Sequence, residues 1–236
     1  MRHRPGFTLV ELIVVVSIIV ALVAILIPSI RRSVQIAKET KCGVQVRMLT
    51  TASFTAATDL FGNIPNMGTI EINEVDGGEG RPYFVKPSKR DWFGESFGLH
   101  RESFYSPTND TWNADEFWID LYNGNVVIGY FGFAGRPKLN ASIKNQVAPD
   151  TPNPVFALRL SDRPVVPWIW TDLNRQYPVG SFVTGKSSIR WGANHLYVDG
   201  DEVLGSHHAM LDGSVQWIEG HDLAHRFTYA TVSYWY

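Results

Sequence analysis

Apolar side chains follow two regimes along this chain. From Phe7 to Ile30 they form a run of twenty-four residues whose only charge is Glu11. At about 1.5 Å of rise per residue, a helix of that length reaches roughly 36 Å, more than a hydrocarbon core about 30 Å thick. The run therefore predicts a membrane-crossing helix. Past Ile30 charge returns: Arg31, Arg32, Lys38, Glu39, Lys41 and Arg47 alternate with Val34, Ala37, Val44, Met48 and Ala52 at helical spacing, with Cys42, Val46 and Leu49 alongside. No proline intervenes between Pro28 and Pro65. The pattern predicts that the helix continues to about Phe61 as an amphipathic rod, its apolar stripe laid on a β-sheet, and that Gly62-Asn63-Ile64-Pro65-Asn66 ends it.

From residue 62 the helical period disappears. Residues 62–116 are dense in Gly, Pro, Asn, Ser and charge and read as a long irregular region with short strands at Thr69–Val75 and Tyr83–Lys86. Phe117–Tyr122, Asn123-Gly124 and Asn125–Phe131 read as a hairpin, because Asn-Gly accepts the positive φ angles of a two-residue turn. Prolines and asparagines interrupt residues 135–164. Val165–Thr171 then reads as a strand in which Pro167 calls for an edge or a bulge. Near the C-terminus, Asp199-Gly200 and Asp212-Gly213 each follow a short apolar run and predict successive hairpins of a meander.

Composition sharpens this picture. The 236 residues suit one fair-sized domain or two small ones, and 21 basic against 23 acidic side chains leave a net charge of -2, with no basic surface that would indicate nucleic acid. Cys42 is the single cysteine, so neither an internal disulfide nor a multi-cysteine zinc site is available. Eight Trp, nine Tyr and thirteen Phe gather mainly beyond residue 60, which favours a β-rich body.

The residues before the apolar run decide its topology. Met1-Arg2-His3-Arg4-Pro5-Gly6 is short and basic, which keeps that end cytoplasmic and sends the chain after Ile30 outward. A secretory signal peptide also opens this way, but its apolar region spans only about 7–15 residues before a small-residue cleavage site. Here the run passes through Val20-Ala21-Leu22-Val23-Ala24 into further Ile and Leu. Glu11 is equally foreign to a signal peptide, since a carboxylate costs about 2.5–3.5 kcal/mol near the centre of a membrane helix. Such a group calls for a partner.

Gly6-Phe7-Thr8-Leu9-Val10-Glu11-Leu12 resembles the processing site of type IV prepilins and type II secretion pseudopilins. The resemblance implies that a prepilin peptidase cuts after Gly6 and that the new N-terminus, Phe7, is methylated. It also implies that Glu11 pairs with the N-terminal amine of a neighbouring subunit, and that Pro28 stands where pilin helices often carry a helix-distorting proline. Asp212-Gly213 further resembles the C-terminal His/Asp-Gly element of a planctomycete-type pilin-like family. This chain departs from that element: Glu202 stands where the family has its histidine, and the histidines here are His195, His207 and His208.

Other candidate chemistry is weaker. His195, His207, His208, Asp199, Asp201, Glu202 and Asp212 lie close in sequence, and His221 and His225 would share a helix face. That spacing matches no zinc-hydrolase motif, because no Glu follows His221. No metal is assigned; Asp199, Asp201 and Glu202 are the weak candidates, their oxygens suiting calcium. Gly77-Gly78-Glu79-Gly80 precedes Arg81-Pro82 and reads as a turn, not a phosphate loop.

The combined expectation is an α+β chain: a long N-terminal helix, its first half transmembrane, packed on a mainly antiparallel β-sheet head, a pilin-like lollipop. Residues 1–6 would be the cleaved leader, 7–30 the membrane half of the helix, 31–61 its extracytoplasmic half and 62–236 the globular head. No catalytic residue and no cofactor is expected. The function implied is a filament subunit of a type IV pilus or a type II secretion-like pseudopilus, first resident in the bacterial inner membrane with its head outside the cytoplasm. Its partners would be the prepilin peptidase and other pilin or pseudopilin subunits. The alternatives are an anchored extracytoplasmic binding module that never polymerises, and an anchored hydrolase using the C-terminal His/Asp cluster.

Overall fold

The computed structural model describes residues 8–68, 81–109, 112–119, 125–176, 193–196, 203–229 and 232–235. It opens with α1, Leu9–Asp59, a helix of 51 residues that runs through Pro28. Proline removes one amide donor there, so the carbonyl of Ala24 loses its helical partner. The chain divides into two compact units, one ending at Thr40 and one beginning at Lys41. In the first, the apolar side chains of α1 are exposed, from Leu9 and Val10 through Ile25 to Ile30. Among the described residues, this is the helix long and apolar enough to cross a membrane. Ser17 turns its hydroxyl back onto the carbonyl of Ile13, which lets a polar side chain ride in an apolar setting, and Ser33, past the apolar run, does the same onto Ser29.

In the second unit α1 buries Cys42, Gln45, Val46, Leu49, Thr50, Ala52, Ser53, Ala56 and Ala57. This face is rotated from the expected stripe. Val44 and Met48, read as core, stand 53% and 40% exposed, while Gln45, Thr50 and Ser53 point inward. The inward polar groups are satisfied: Tyr130 Oη donates to Gln45 Oε1 at 2.9 Å, Trp170 Nε1 donates to Ser53 Oγ at 2.9 Å, and Thr50 Oγ1 donates to the Val46 carbonyl at 2.8 Å. Past Asp59 the chain turns out through Phe61 and Gly62, both at positive φ, and the Gly62 amide donates to the Ala57 carbonyl.

The sheet facing this helix is antiparallel. Its strands are β3 (Tyr130–Gly132), β4 (Trp168–Asp172), β6 (Gly205–Met210) and β7 (Val215–Glu219), in the order β3-β4-β6-β7. Two smaller antiparallel sheets accompany it: β1 (Phe84–Val85) with β2 (Val126–Val127), and β5 (Arg175–Gln176) with β9 (Val232–Trp235) and β8 (His225–Tyr229). The class is α+β, a helix packed on antiparallel sheet, as expected and as a pilin-like fold requires. The Asp212-Gly213 turn joins β6 to β7 with Gly213 at φ 86° and the Ser214 amide on Asp212 Oδ1. The strand expected from Val165 begins only at Trp168, so Pro167 lies outside the ladder of β4, an inner strand, whose register against β6 shifts between Trp168 and Trp170.

Two expectations fail here. Residues 115–119 form a short helix, α3 (Asp115–Ile119), instead of the first arm of a hairpin; Val126 and Val127 pair with Val85 and Phe84. The helix has an acidic start that suits its dipole, and it buries Phe117 and half-buries Trp118 while Ile119 stays exposed. The Asn123-Gly124 turn lies outside the described residues, as do the Thr69–Val75 strand and the Asp199-Gly200 turn. Within the stretches read as irregular there are two regular helices, α2 (Pro87–Phe97) and α4 (Pro137–Val147). Each has its proline at the first turn, where a missing amide costs nothing, and α2 ends on Gly98 at φ 66°.

The core centres on aromatic rings. Phe133 and Phe156 stack at 4.5 Å with Phe227 edge-on to both, and the Trp170 ring lies across Gly132 of the next strand, where a Cβ would come within 2.8 Å of it. Arg136, fully buried, donates to the carbonyls of Arg81, Pro82 and Phe84 and so fixes the approach to β1. The weight carried by the buried polar contacts of α1 is measurable. Ser53→Ala leaves the Trp170 indole N–H unpaired and should lower stability by about 1–3 kcal/mol. Thr51→Ala removes a similar hydroxyl from the exposed face of the same helix and should cost under about 0.5 kcal/mol. Urea unfolding of the detergent-solubilised chain, followed by tryptophan fluorescence, compares the two.

Candidate functional site

The start of α1 is organised by two side chains. Thr8 is the N-cap residue: its carbonyl accepts the Leu12 amide at 3.3 Å and its hydroxyl oxygen accepts the Glu11 amide at 3.3 Å. Glu11 answers, its Oε2 accepting both the Thr8 amide and the Thr8 hydroxyl at 2.8 Å. This is a reciprocal capping box, with the acid three residues after the cap. The cost of a carboxylate in an apolar segment is thereby offset within a single chain, by two donors that the helix end would otherwise leave without partners. The Thr-x-x-Glu spacing carries that signal in the sequence, where Glu11 was read only as an intersubunit group. Gly6 and Phe7 lie outside the described residues.

A second constellation lies inside the globular unit. Asp172 ends β4 and is fully buried. Its Oδ2 lies 2.8 Å from His195 Nε2 and 2.9 Å from His207 Nδ1, and it accepts the His207 amide at 2.7 Å; Asn194 Nδ2 donates to Oδ1 at 3.1 Å. Cys42 is also fully buried, on α1, and its Sγ sits 3.0 Å from Ser106 Oγ. The donor atoms of Cys42, Asp172 and His195 all fall within 4.8 Å of one another.

The electrostatics follow from this crowding. Burial pushes the Asp172 carboxyl up, but the charge and hydrogen bond of His195, with the hydrogen bond and charge of His207, outweigh it and hold the acid well below the usual carboxylate range. Burial pulls His195 down, yet the charge and hydrogen bond of Asp172, with a smaller contribution from Cys42, carry it up to about 10. His208 points elsewhere, edge-on to Trp168 at 4.4 Å, and burial pushes it down to about 3, keeping it neutral. The result is a charged pair locked among α1, β4 and β6, with no exposed surface on Cys42, Asp172 or His195.

Of the residues the sequence singles out, the structure brings together His195 and His207. It joins them to Asp172 and to Cys42, neither of which sequence reasoning placed at a site. The signal for Asp172 was a lone acid closing the apolar run Trp168-Ile169-Trp170-Thr171. Asp212 serves the β6–β7 turn. His221 is exposed in a 3-10 turn, Gly220–Asp222, and β8 begins at His225, so the two histidines do not share a helix face as expected. Asp199, Asp201 and Glu202 lie outside the described residues.

Residues 1–27 match the family model described as the prokaryotic N-terminal methylation motif. No curated protein and no solved structure matches the chain. The matched stretch ends within the exposed apolar part of α1 and includes Thr8 and Glu11. The chain thus carries an N-terminal methylation motif over its first 27 residues, which supports the likeness of that stretch to type IV pilin-like and pseudopilin chains.

Proposed function

We propose that this chain is a structural subunit of a filament, either a type IV pilus or the pseudopilus of a type II secretion-like machine. The observation that carries the reading is the methylation motif over residues 1–27, lying in an apolar stretch, Phe7 to Ile30, whose one charge is Glu11. In this reading residues 1–6 are the leader, prepilin peptidase cuts after Gly6, and Phe7 becomes a methylated N-terminus. Residues 7–30 hold the chain in the inner membrane, residues 31–61 continue the helix outside it, and residues 62–236 form an extracytoplasmic head.

Assembly moves the apolar half of the helix from lipid into a bundle of like helices. The two surroundings solvate Leu, Ile and Val similarly, so direction and register must come from a polar contact. Glu11 supplies it by pairing with the ammonium of a neighbour's Phe7, an ion pair that a low-dielectric bundle supports when both partners are present.

Two measurements test this. Intact-mass analysis of the protein recovered from native membranes should show a chain starting at Phe7 and carrying one methyl group, and Gly6→Val should leave Met1 in place. Recovery of the native chain with its first six residues, or cut near Ala24, defeats the proposal. Glu11→Gln separates the two duties of the side chain, because Gln also closes a capping box but carries no charge. That variant should be processed and inserted normally and yet be lost from sheared or cross-linked filaments by tenfold or more. Normal filament yield from it would mean that Glu11 is only a cap and its charge plays no part in assembly, whereas absence of the wild-type chain from filaments would make it an isolated anchor.

A further inference from the structure

The buried cluster holds more coordinating power than a hydrogen-bond network needs. A thiol, a carboxylate and two imidazoles converge from four separate stretches of chain: Cys42 on α1, Asp172 at the end of β4, His195 in the segment 193–196, and His207 on β6. Both imidazoles aim a ring nitrogen at one carboxylate oxygen, at 2.8 and 2.9 Å, and the sulfur lies within 4.8 Å of the Asp172 and His195 donor atoms. A tetrahedral zinc ion bonds sulfur at about 2.3 Å and nitrogen or oxygen at about 2.0–2.2 Å, which sets its ligand atoms roughly 3.3–3.8 Å apart. The observed separations bracket that spacing, so shifts of about 1 Å or less would close the site.

Three further features favour an ion. His195 turns Nε2 toward Asp172 Oδ2, so this is the ring nitrogen that faces the cluster and would coordinate. The supporting contacts are of the kind that orient ligands: the Asn194 amide on Asp172 Oδ1, the His207 amide on Oδ2, and the Ser106 hydroxyl beside the Cys42 sulfur. Among the described residues no lysine or arginine pairs with Asp172, so the only cationic partners it can have are the two histidines. A divalent ion held by a thiolate and a carboxylate would sum to a neutral centre, which suits a fully buried position.

We propose that the globular unit binds one zinc-class divalent transition-metal ion through Cys42, Asp172 and His195, whose donor atoms already lie together, and that His207, in contact with the same Asp172 oxygen, turns in as the fourth ligand. Thiolate and imidazole exclude a hard cation such as calcium or magnesium, which takes oxygen ligands. Four protein ligands without solvent exposure on the central three describe a closed, structural site. Its effect would be to fasten the Lys41–Asp59 part of α1 to β4 and β6. Because the ligands come together only on folding, the ion would enter during folding and exchange slowly afterwards. The proposal does not depend on filament assembly.

The test uses the full chain in detergent. Protein purified from zinc-supplemented cells should retain close to one equivalent of zinc by elemental mass spectrometry after exhaustive desalting. Protein unfolded in chelator and refolded with cobalt(II) alone should show the absorption bands of a tetrahedral site together with a thiolate-to-cobalt charge-transfer band. Since Cys42 is the single cysteine, that band can report only this site. Cys42→Ser, with its fold checked by circular dichroism, should lose the band, and Ser106→Ala should weaken cobalt binding about tenfold or more. Wild-type protein that is fully folded with under a tenth of an equivalent of metal, or that binds cobalt without the thiolate band, overturns the proposal. The cluster would then be a protonated His-Asp pair.

Discussion

The face that α1 presents to the sheet carries polar side chains among its apolar ones, and the chain packed on it is built to meet them. Gln45, Thr50 and Ser53 are buried among Val46, Leu49, Ala52 and Ala56, and Cys42 stands at the start of the same face. Thr50 satisfies itself on the Val46 carbonyl of its own helix, but a buried polar group without a partner costs about 1–3 kcal/mol, so Gln45, Ser53 and Cys42 restrict how the rest of the unit is placed against them. Tyr130 on β3 reaches Gln45, Trp170 on β4 reaches Ser53, and Ser106 reaches Cys42. Apolar packing supplies attraction along the whole face. The hydrogen bonds choose the register, because a slide of one turn would strand all of them at once.

The same constraint explains what could be read beforehand. The apolar run to Ile30 was legible because membrane and protein core both demand length and absence of charge, and only length separates them. The Asp212-Gly213 hairpin was legible because Gly213 takes a positive φ that few residues accept. The buried face of α1 was not, since hydropathy favours Val44 and Met48 over Gln45 and Ser53, and the partners that reverse the order lie 85 and 117 residues away in sequence. For the strand expected at Phe117–Tyr122, alternating apolar residues fit either a strand or a short helix. Val85 and Phe84 pair with Val126 and Val127, and residues 115–119 take the helix. α2 and α4 were hidden by composition, although Pro87, Gly98 and Pro137 mark their ends in the expected way.

The candidate sites show the same division between local and distant causes. Thr8 and Glu11 are three residues apart, and their capping box needs nothing but the first turn of the helix. Asp172, His195, His207 and Cys42 span most of the chain and become a cluster only once β4 and β6 pair and α1 is seated. Sequence proximity pointed to His207 and His208 as a pair. Alternation along β6 sends them to opposite faces, one to Asp172 and the other to Trp168.

Glu11 connects the fold of the single chain to the proposed assembly. In the chain by itself the carboxylate is held by the Thr8 amide and hydroxyl, both neutral donors. An ammonium from a neighbouring N-terminus is a stronger partner than either, because it adds the attraction of a full opposite charge to the hydrogen bond. The exchange need not break the cap, since a carboxylate has two oxygens and Oε2 alone serves Thr8. Oε1 is left to accept from outside. A helix end that is already ordered, with its acid already oriented by its own cap, gives up little further freedom when the neighbour arrives. Preorganisation of that kind lets one ion pair set the register of an otherwise featureless apolar bundle.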